Sequence, residues 1–228
     1  MVFQHKIITF ASYLAYCMDL NPDKNTIREQ NTDSENPLFT AEIADDNCTW
    51  YALRLFTLRL KQVAQYFKDK GLTYFVPMEY ADIVDPKEQK IRHVLRPVVR
   101  NLLFVKKDRD EQLLRKVIAD APFKLSVVRK SKDDNDFYEI PAKQMYEFQV
   151  MCNPEIEMRK YLREDEAKLK SGTPVLVTHG LLKGLTGKLV RSSKKYYLLK
   201  EVPGMAVMIK VSRWCCVPIE KQQSGKTE

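Results

Sequence analysis

Glycine and proline are scarce in this chain, 7 and 11 of 228 residues, which excludes a collagen-like or low-complexity polymer. Histidine is scarcer still. His5, His93 and His179 stand far apart, outside any recognisable metal or nucleophile constellation. The cysteines Cys17, Cys48, Cys152, Cys215 and Cys216 are odd in number and include no C-x-x-C spacing. Neither a disulfide framework nor a zinc site follows, and reduced thiols in a cytoplasmic protein are expected. No apolar run suffices to span a bilayer. The nearest approach, Ile7–Met18, is short and interrupted by Thr9, Ser12 and two tyrosines. Leu14-Ala15-Tyr16-Cys17 has the outline of a lipoprotein cleavage site, but bulky Tyr16 stands where a small residue is required, so export is not expected. Gly180, Gly184 and Gly187 form no phosphate loop, because no Lys-Ser/Thr follows the last of them. Asp133, Asp134 and Asp136 read as a polar turn rather than a metal site. Neither an enzyme nor a bound cofactor is expected.

What the chain does carry is uneven charge. The net charge is +8 and the pI about 9.1. Residues 1–47 hold 3 Lys/Arg against 8 Asp/Glu, residues 48–170 hold 25 against 19, and residues 171–228 hold 10 against 3. Basic excess is densest at the C-terminal end, which makes that end a candidate for contact with RNA or a ribosome. A solubilising surface explains the same excess.

Residues 21–47 are rich in Asn, Asp, Thr, Ser and Glu and read as a polar linker after an N-terminal extension. From Trp50 the pattern changes. Trp50–Leu55 reads as a strand, and Leu58–Lys70 as an amphipathic helix with Leu60, Val63, Ala64 and Phe67 on one face. Gly71 would stop that helix. Strands follow over Leu72–Val76, Val98–Lys106, Phe123–Arg129 and Phe137–Ile140, with helices over Asp108–Ile118 and Ala142–Met151. Asp108 or Asp110 caps the first of these helices, and Pro141 opens the second. Tyr80–Arg96 reads as a charged loop. Asn153–Lys170 is densely charged and reads as a linker, in part helical. Beyond it five short apolar runs, Pro174–Thr178, Thr186–Val190, Tyr196–Leu199, Val207–Val211 and Cys215–Ile219, predict a small β-barrel.

Four segments carry a resemblance: Trp50-Tyr51-Ala52-Leu53, Gly71–Met78, Leu103-Phe104-Val105 and Ile140-Pro141. In order and spacing they resemble the N-terminal (NGN) domain of NusG-like transcription factors. Gly172–Val190, with its Gly180, Gly184 and Gly187 turns, looks like a KOW motif. The expected fold class is therefore α+β: an antiparallel sheet flanked by helices over 48–152, then a charged linker over 153–170. A five-stranded SH3-like barrel over 171–220 and a tail over 221–228 complete the chain. The long first section and the charged linker look most like the UpxY group of paralogues, which serve particular operons such as capsular polysaccharide loci. Where the family has Phe-Pro-Gly-Tyr entering its third strand, this chain has Val99-Arg100-Asn101-Leu102, so an apolar pocket is retained without its aromatics.

The resemblance implies a cytoplasmic, monomeric antitermination or elongation factor whose first domain docks on the clamp of RNA polymerase. Tyr51, Tyr74, Val99, Leu102 and Phe104 are the residues expected to do so. Arg54, Arg59, Lys61, Arg92, Arg96 and Arg100 are either solvated faces or contacts to upstream or non-template DNA phosphates. On the second domain Leu182, Lys183, Leu185, Val202 and Met205 are expected to form a partner-binding patch for the ribosome, Rho or nascent RNA. Beside Lys188, Arg191, Lys194 and Lys195, Tyr196 and Tyr197 offer a stacking surface, of which strand alternation leaves at most one free. A KOW-type RNA-binding or ribosome-associated protein is the alternative reading.

Overall fold

The computed structural model describes residues 38, 43, 46–84, 91–130 and 136–219. The Ile7–Met18 segment, His5, Asp133, Asp134 and the tail over 221–228 lie outside them, as does most of the expected linker over 21–47. Leu38, inside that linker, is buried in a hydrophobic core, so part of the segment packs rather than merely connecting. The chain divides into two compact units, one reaching to Ile156 together with Val202–Gly204, the other built from Glu157–Glu201 and the residues after Met205.

The first unit is a sheet with helices on both faces. Its strands are β1 (Trp50–Leu55), β2 (Tyr74–Phe75), β5 (Leu102–Lys106), β6 (Leu125–Val127) and β7 (Glu139–Ile140), in the order β2-β5-β1-β6 with β7 also on β1. The central pair is antiparallel, with Tyr51 opposite Val105 and Ala52 opposite Phe104. Because side chains alternate along a strand, one face carries Tyr51, Leu53, Leu103 and Val105. These pack with the apolar stripe of α1 (Leu60–Asp69), formed by Leu60, Val63, Ala64 and Phe67, and with Leu114 of α2 (Glu111–Ala119). Each large side chain so buried contributes roughly 1.5–3 kcal/mol. The other face carries Ala52 and Phe104 and meets α3 (Ala142–Met151): the Phe148 ring lies 5.5 Å from that of Phe104 and 6.4 Å from that of Phe75.

Tyr80–Arg96 is no loop. Its described residues belong to a two-stranded hairpin, β3 (Met78–Val84) with β4 (Ile91–Pro97), in register from Met78 opposite Pro97 to Val84 opposite Ile91. Interspersed charge hid the β-branched residues Ile83, Val84, Ile91 and Val94, which alternate too weakly with polar neighbours to read as a half-buried strand.

In the second unit β8 (Arg159–Arg163), β9 (Thr173–Val177), β10 (Thr186–Ser192), β11 (Lys195–Val202), β12 (Met205–Val211) and β13 (Cys216–Pro218) form one sheet in the order β13-β9-β10-β11-β12-β8. The expected linker over 153–170 is corrected here. It supplies β8, antiparallel to β12, and the one-turn helix α4 (Glu164–Lys168), whose Ala167 is buried among Val190, Tyr197, Leu199 and Met208. Charge misled because an edge strand needs only one apolar face and spends its other positions on solvent.

Candidate functional site

Register separates the five residues expected to face polymerase. Tyr51 and Tyr74 both pair with Val105 and lie in the core beneath the helices. Leu102 and Phe104 occupy the opposite face and are 4% and 0% exposed. Val99 is half-buried in the turn before β5. The five therefore form no common surface patch. Which face of β5 Tyr51 and Tyr74 share is set by cross-strand register, a tertiary fact.

The Tyr51 hydroxyl ends in a polar cluster at the sheet's other end. It donates to Glu139 Oε1 at 3.0 Å, Thr49 Oγ1 donates to Glu139 Oε2 at 3.1 Å, and Lys107 forms an ion pair with the same carboxylate. Lys107 also reaches Glu111 at 3.1 Å, and Glu111 holds Arg115 at 2.7 Å. Lys107 keeps the Glu139 carboxyl below the usual carboxylate range, and Arg115 does the same for Glu111. Burial pushes the Tyr51 phenol up to about 12. The named groups are paired with one another, so the chemistry of the cluster is that of a staple.

The exposed functional candidates gather where β1 ends and β5 begins. Arg54 lies opposite Leu102, and the Leu55 amide donates to the Asn101 carbonyl, which brings Arg54 and Arg100 to one end of the sheet. Arg59 opens α1 at that end and Lys61 follows on its exposed side. Phe56 and Leu58, 61% and 83% exposed, stand in the same loop, with the Lys124 ammonium 5.6 Å from the Phe56 ring centre. The helix begins at Leu60 rather than at Leu58, which leaves Leu58 in the loop as part of an exposed apolar tip. The hairpin leaves the sheet beside β5 through Pro97 and Val98. On it Arg96 is paired with Glu79 at 3.1 Å, and Arg92 lies opposite Ile83. An end of this kind suits polyanion backbones or an acidic protein surface.

The expected patch on the second domain is corrected as well. Leu182, Leu185, Val202 and Met205 are all buried, and only Lys183 of the set is exposed. Apolar residues in these turns serve packing. Tyr197 is buried, whereas Tyr196 is half-exposed with Arg191 5.8 Å from its ring centre. Gly180 and Gly184 take φ of +83° and +89°, the left-handed values that a turn there demands. Among the described residues no group of three or more His, Cys, Asp or Glu could hold a metal, and no helix is long and apolar enough to cross a membrane.

Comparison with known proteins supplies the remaining evidence. No curated protein matches the sequence. A solved structure described as domain interaction in Thermotoga maritima NusG is 10% identical, with a TM-score of 0.37 over 78% of this chain and 100% of its own. The family model described as transcription termination factor NusG matches residues 48–149, the span from β1 into α3. Over that span, and by that match, the chain is similar to the NusG transcription factors.

Proposed function

We propose that this protein is an elongation or antitermination factor that binds RNA polymerase through its first unit and suppresses pausing or termination. The observation that carries the reading is the coincidence of the NusG match, residues 48–149, with one continuous sheet-and-helix core. Binding is the whole mechanism. A factor with more affinity for the forward-moving polymerase than for the paused one shifts the balance between them, and each 1.4 kcal/mol of that difference is worth about tenfold. Docking on the clamp falls to exposed groups, because Leu102 and Phe104 are buried. The Arg54, Arg59 and Arg100 end, with Phe56 and Leu58 at its tip, is the surface that would meet polymerase and the DNA phosphates beside it. The second unit is read as the KOW barrel, offering a second partner such as the ribosome or Rho. The UpxY likeness points to particular operons, capsular polysaccharide loci among them, and to action in the cytoplasm.

The test is direct. Tagged full-length protein should retain core RNA polymerase and shorten pauses in single-round transcription. The double reversal Arg54→Glu with Arg100→Glu should weaken both effects and flatten their salt dependence. Loss of polymerase retention together with unchanged pausing would sink the reading. The ten Lys/Arg against three Asp/Glu beyond residue 170 favour a ribosome-associated RNA binder as the second reading. Sedimentation with ribosomal subunits in the absence of polymerase binding would establish that instead.

A further inference from the structure

Trp214 is one of two tryptophans in the chain, and it is 73% exposed on the second unit. A large indole left in water is held there by its surroundings. It sits in a one-turn 3-10 helix over Arg213–Cys215, closed by the Cys215 amide donating to the Ser212 carbonyl, and the next residue, Cys216, is buried. The chain end of β9 reaches it: the amide and the hydroxyl of Thr178 both donate to the Cys215 carbonyl, at 2.8 and 3.1 Å. His179 follows, its ring centre 5.7 Å from that of Trp214.

The Thr178 hydroxyl has one proton and two acceptors within reach, the Cys215 carbonyl at 3.1 Å and His179 Nδ1 at 2.8 Å. When the carbonyl takes the proton, Nδ1–H donates to Thr178 Oγ1. A neutral His179 then carries its acceptor lone pair on Nε2, the ring position not engaged by Thr178. Cationic residues stand on the segments that carry the two rings. Arg213 anchors the turn by donating to the Cys216 carbonyl at 3.2 Å, and Lys183 is exposed on the loop whose Gly184 amide donates to Val177. Over residues 157–219 the second unit carries thirteen Lys/Arg against five Asp/Glu.

We propose that Trp214 and His179 form a stacking platform for a base of single-stranded RNA. Two exposed aromatic rings tilted at 42° to each other, on a backbone turn held by hydrogen bonds in a basic unit, suit unpaired nucleotides, since every base offers a π-face and the nucleic-acid backbone supplies the counter-charge. In the Nδ1–H tautomer, Nε2 of His179 favours RNA over DNA, because a ribose 2′-hydroxyl can donate to it and a deoxyribose cannot. The platform is independent of polymerase docking, and the protein alone suffices to test it.

The probe is a fluorescently labelled oligouridylate of about ten nucleotides, with the matching deoxyoligouridylate beside it. Anisotropy should report salt-sensitive RNA binding by the full chain, with weaker binding of the deoxy strand. Indole emission should be quenched at the same time, and by Trp214, because Trp50 is 5% exposed. Trp214→Ala should lower the RNA affinity about tenfold, Trp214→Phe should keep most of it, and His179→Ala should narrow the gap between the two strands. Circular dichroism checks that each variant folds, and if Trp214→Ala does not, the quenching and Trp214→Phe decide. RNA affinity unchanged in Trp214→Ala overturns the proposal, as does equal binding of the deoxy strand. If Trp214→Ala spares RNA but loses a ribosomal or other protein from a pull-down, the patch is a protein contact and the proposal fails.

Discussion

Glu139 receives three donors, Lys107, Tyr51 and Thr49, and ties β7 to β1 and to the start of α2. Its side chain is 38% exposed, so solvent screens the pairing and Glu139→Gln should cost only about 1 kcal/mol at neutral pH. The pH dependence has a definite sign. An unfolded chain protonates this carboxyl near the ordinary value of about 4.3, whereas Lys107 holds the folded one lower. Its contribution is therefore present above that value and lost as the pH falls through the folded pKa. Tyr51 works in the opposite direction. With its phenol raised to about 12 by burial, stability drains as the pH rises above the unfolded value of about 10. Urea melts across both ranges should show wild type losing both contributions and Glu139→Gln losing less in acid. At Leu102, 4% exposed, an aspartate would be an unpaired buried carboxylate. Leu102→Asp should destabilise the fold by several kcal/mol, rather than leave a folded protein that merely fails to bind polymerase, and a thermal melt distinguishes the two.

At the scale of elements, β10 shows how a glycine can be required for two unlike reasons. Gly180 and Gly184 stand in open space and are needed for their positive φ. Gly187, inside β10, takes no left-handed value. There a Cβ would meet the Leu199 carbonyl oxygen at 2.7 Å and the Leu198 side chain at 2.9 Å. Gly187→Ala should therefore cost about 1–3 kcal/mol by overpacking, measured as a lowered midpoint in chemical denaturation, while Gly184→Ala strains only a turn. The three glycines look alike in sequence, and only the approach of β11 separates Gly187 from the others. Asp110 illustrates the same limit on α2. Either Asp108 or Asp110 suited an N-cap, and the geometry chooses Asp110, whose carboxylate accepts from the amides of Gln112 and Leu113 at 2.8 and 3.3 Å.

Over the whole molecule, the consequence that differs most from sequence reading concerns where the second unit begins. A fragment starting at residue 171 lacks β8 and α4, leaving β12 without its edge partner and the core around Val190 and Met208 without Ala167. A fragment starting at Glu157 keeps both. The longer piece should show a cooperative melt by circular dichroism and the shorter one a lower or broader transition; equal melts would return residues 157–170 to the role of a linker. Much else was legible. Trp50–Leu55 and Ala142–Met151 stand where their patterns put them, Gly71 ends α1 at φ +66°, and the NGN part of the resemblance lies within the matched span, whereas the KOW part over Gly172–Val190 lies beyond it. Such features depend on local period and on backbone stereochemistry, which a chain carries in itself. Which face of a strand meets solvent does not. Alternation separated Leu102 and Phe104 from Leu103 and Val105, yet both pairs are buried. Leu182, Val202 and Met205 looked like an exposed patch and are buried too, while Trp214, in an apolar run, is left in water. Period determines which side chains share a face, but burial is set by what the rest of the chain lays over it, and that is decided only when distant segments pack.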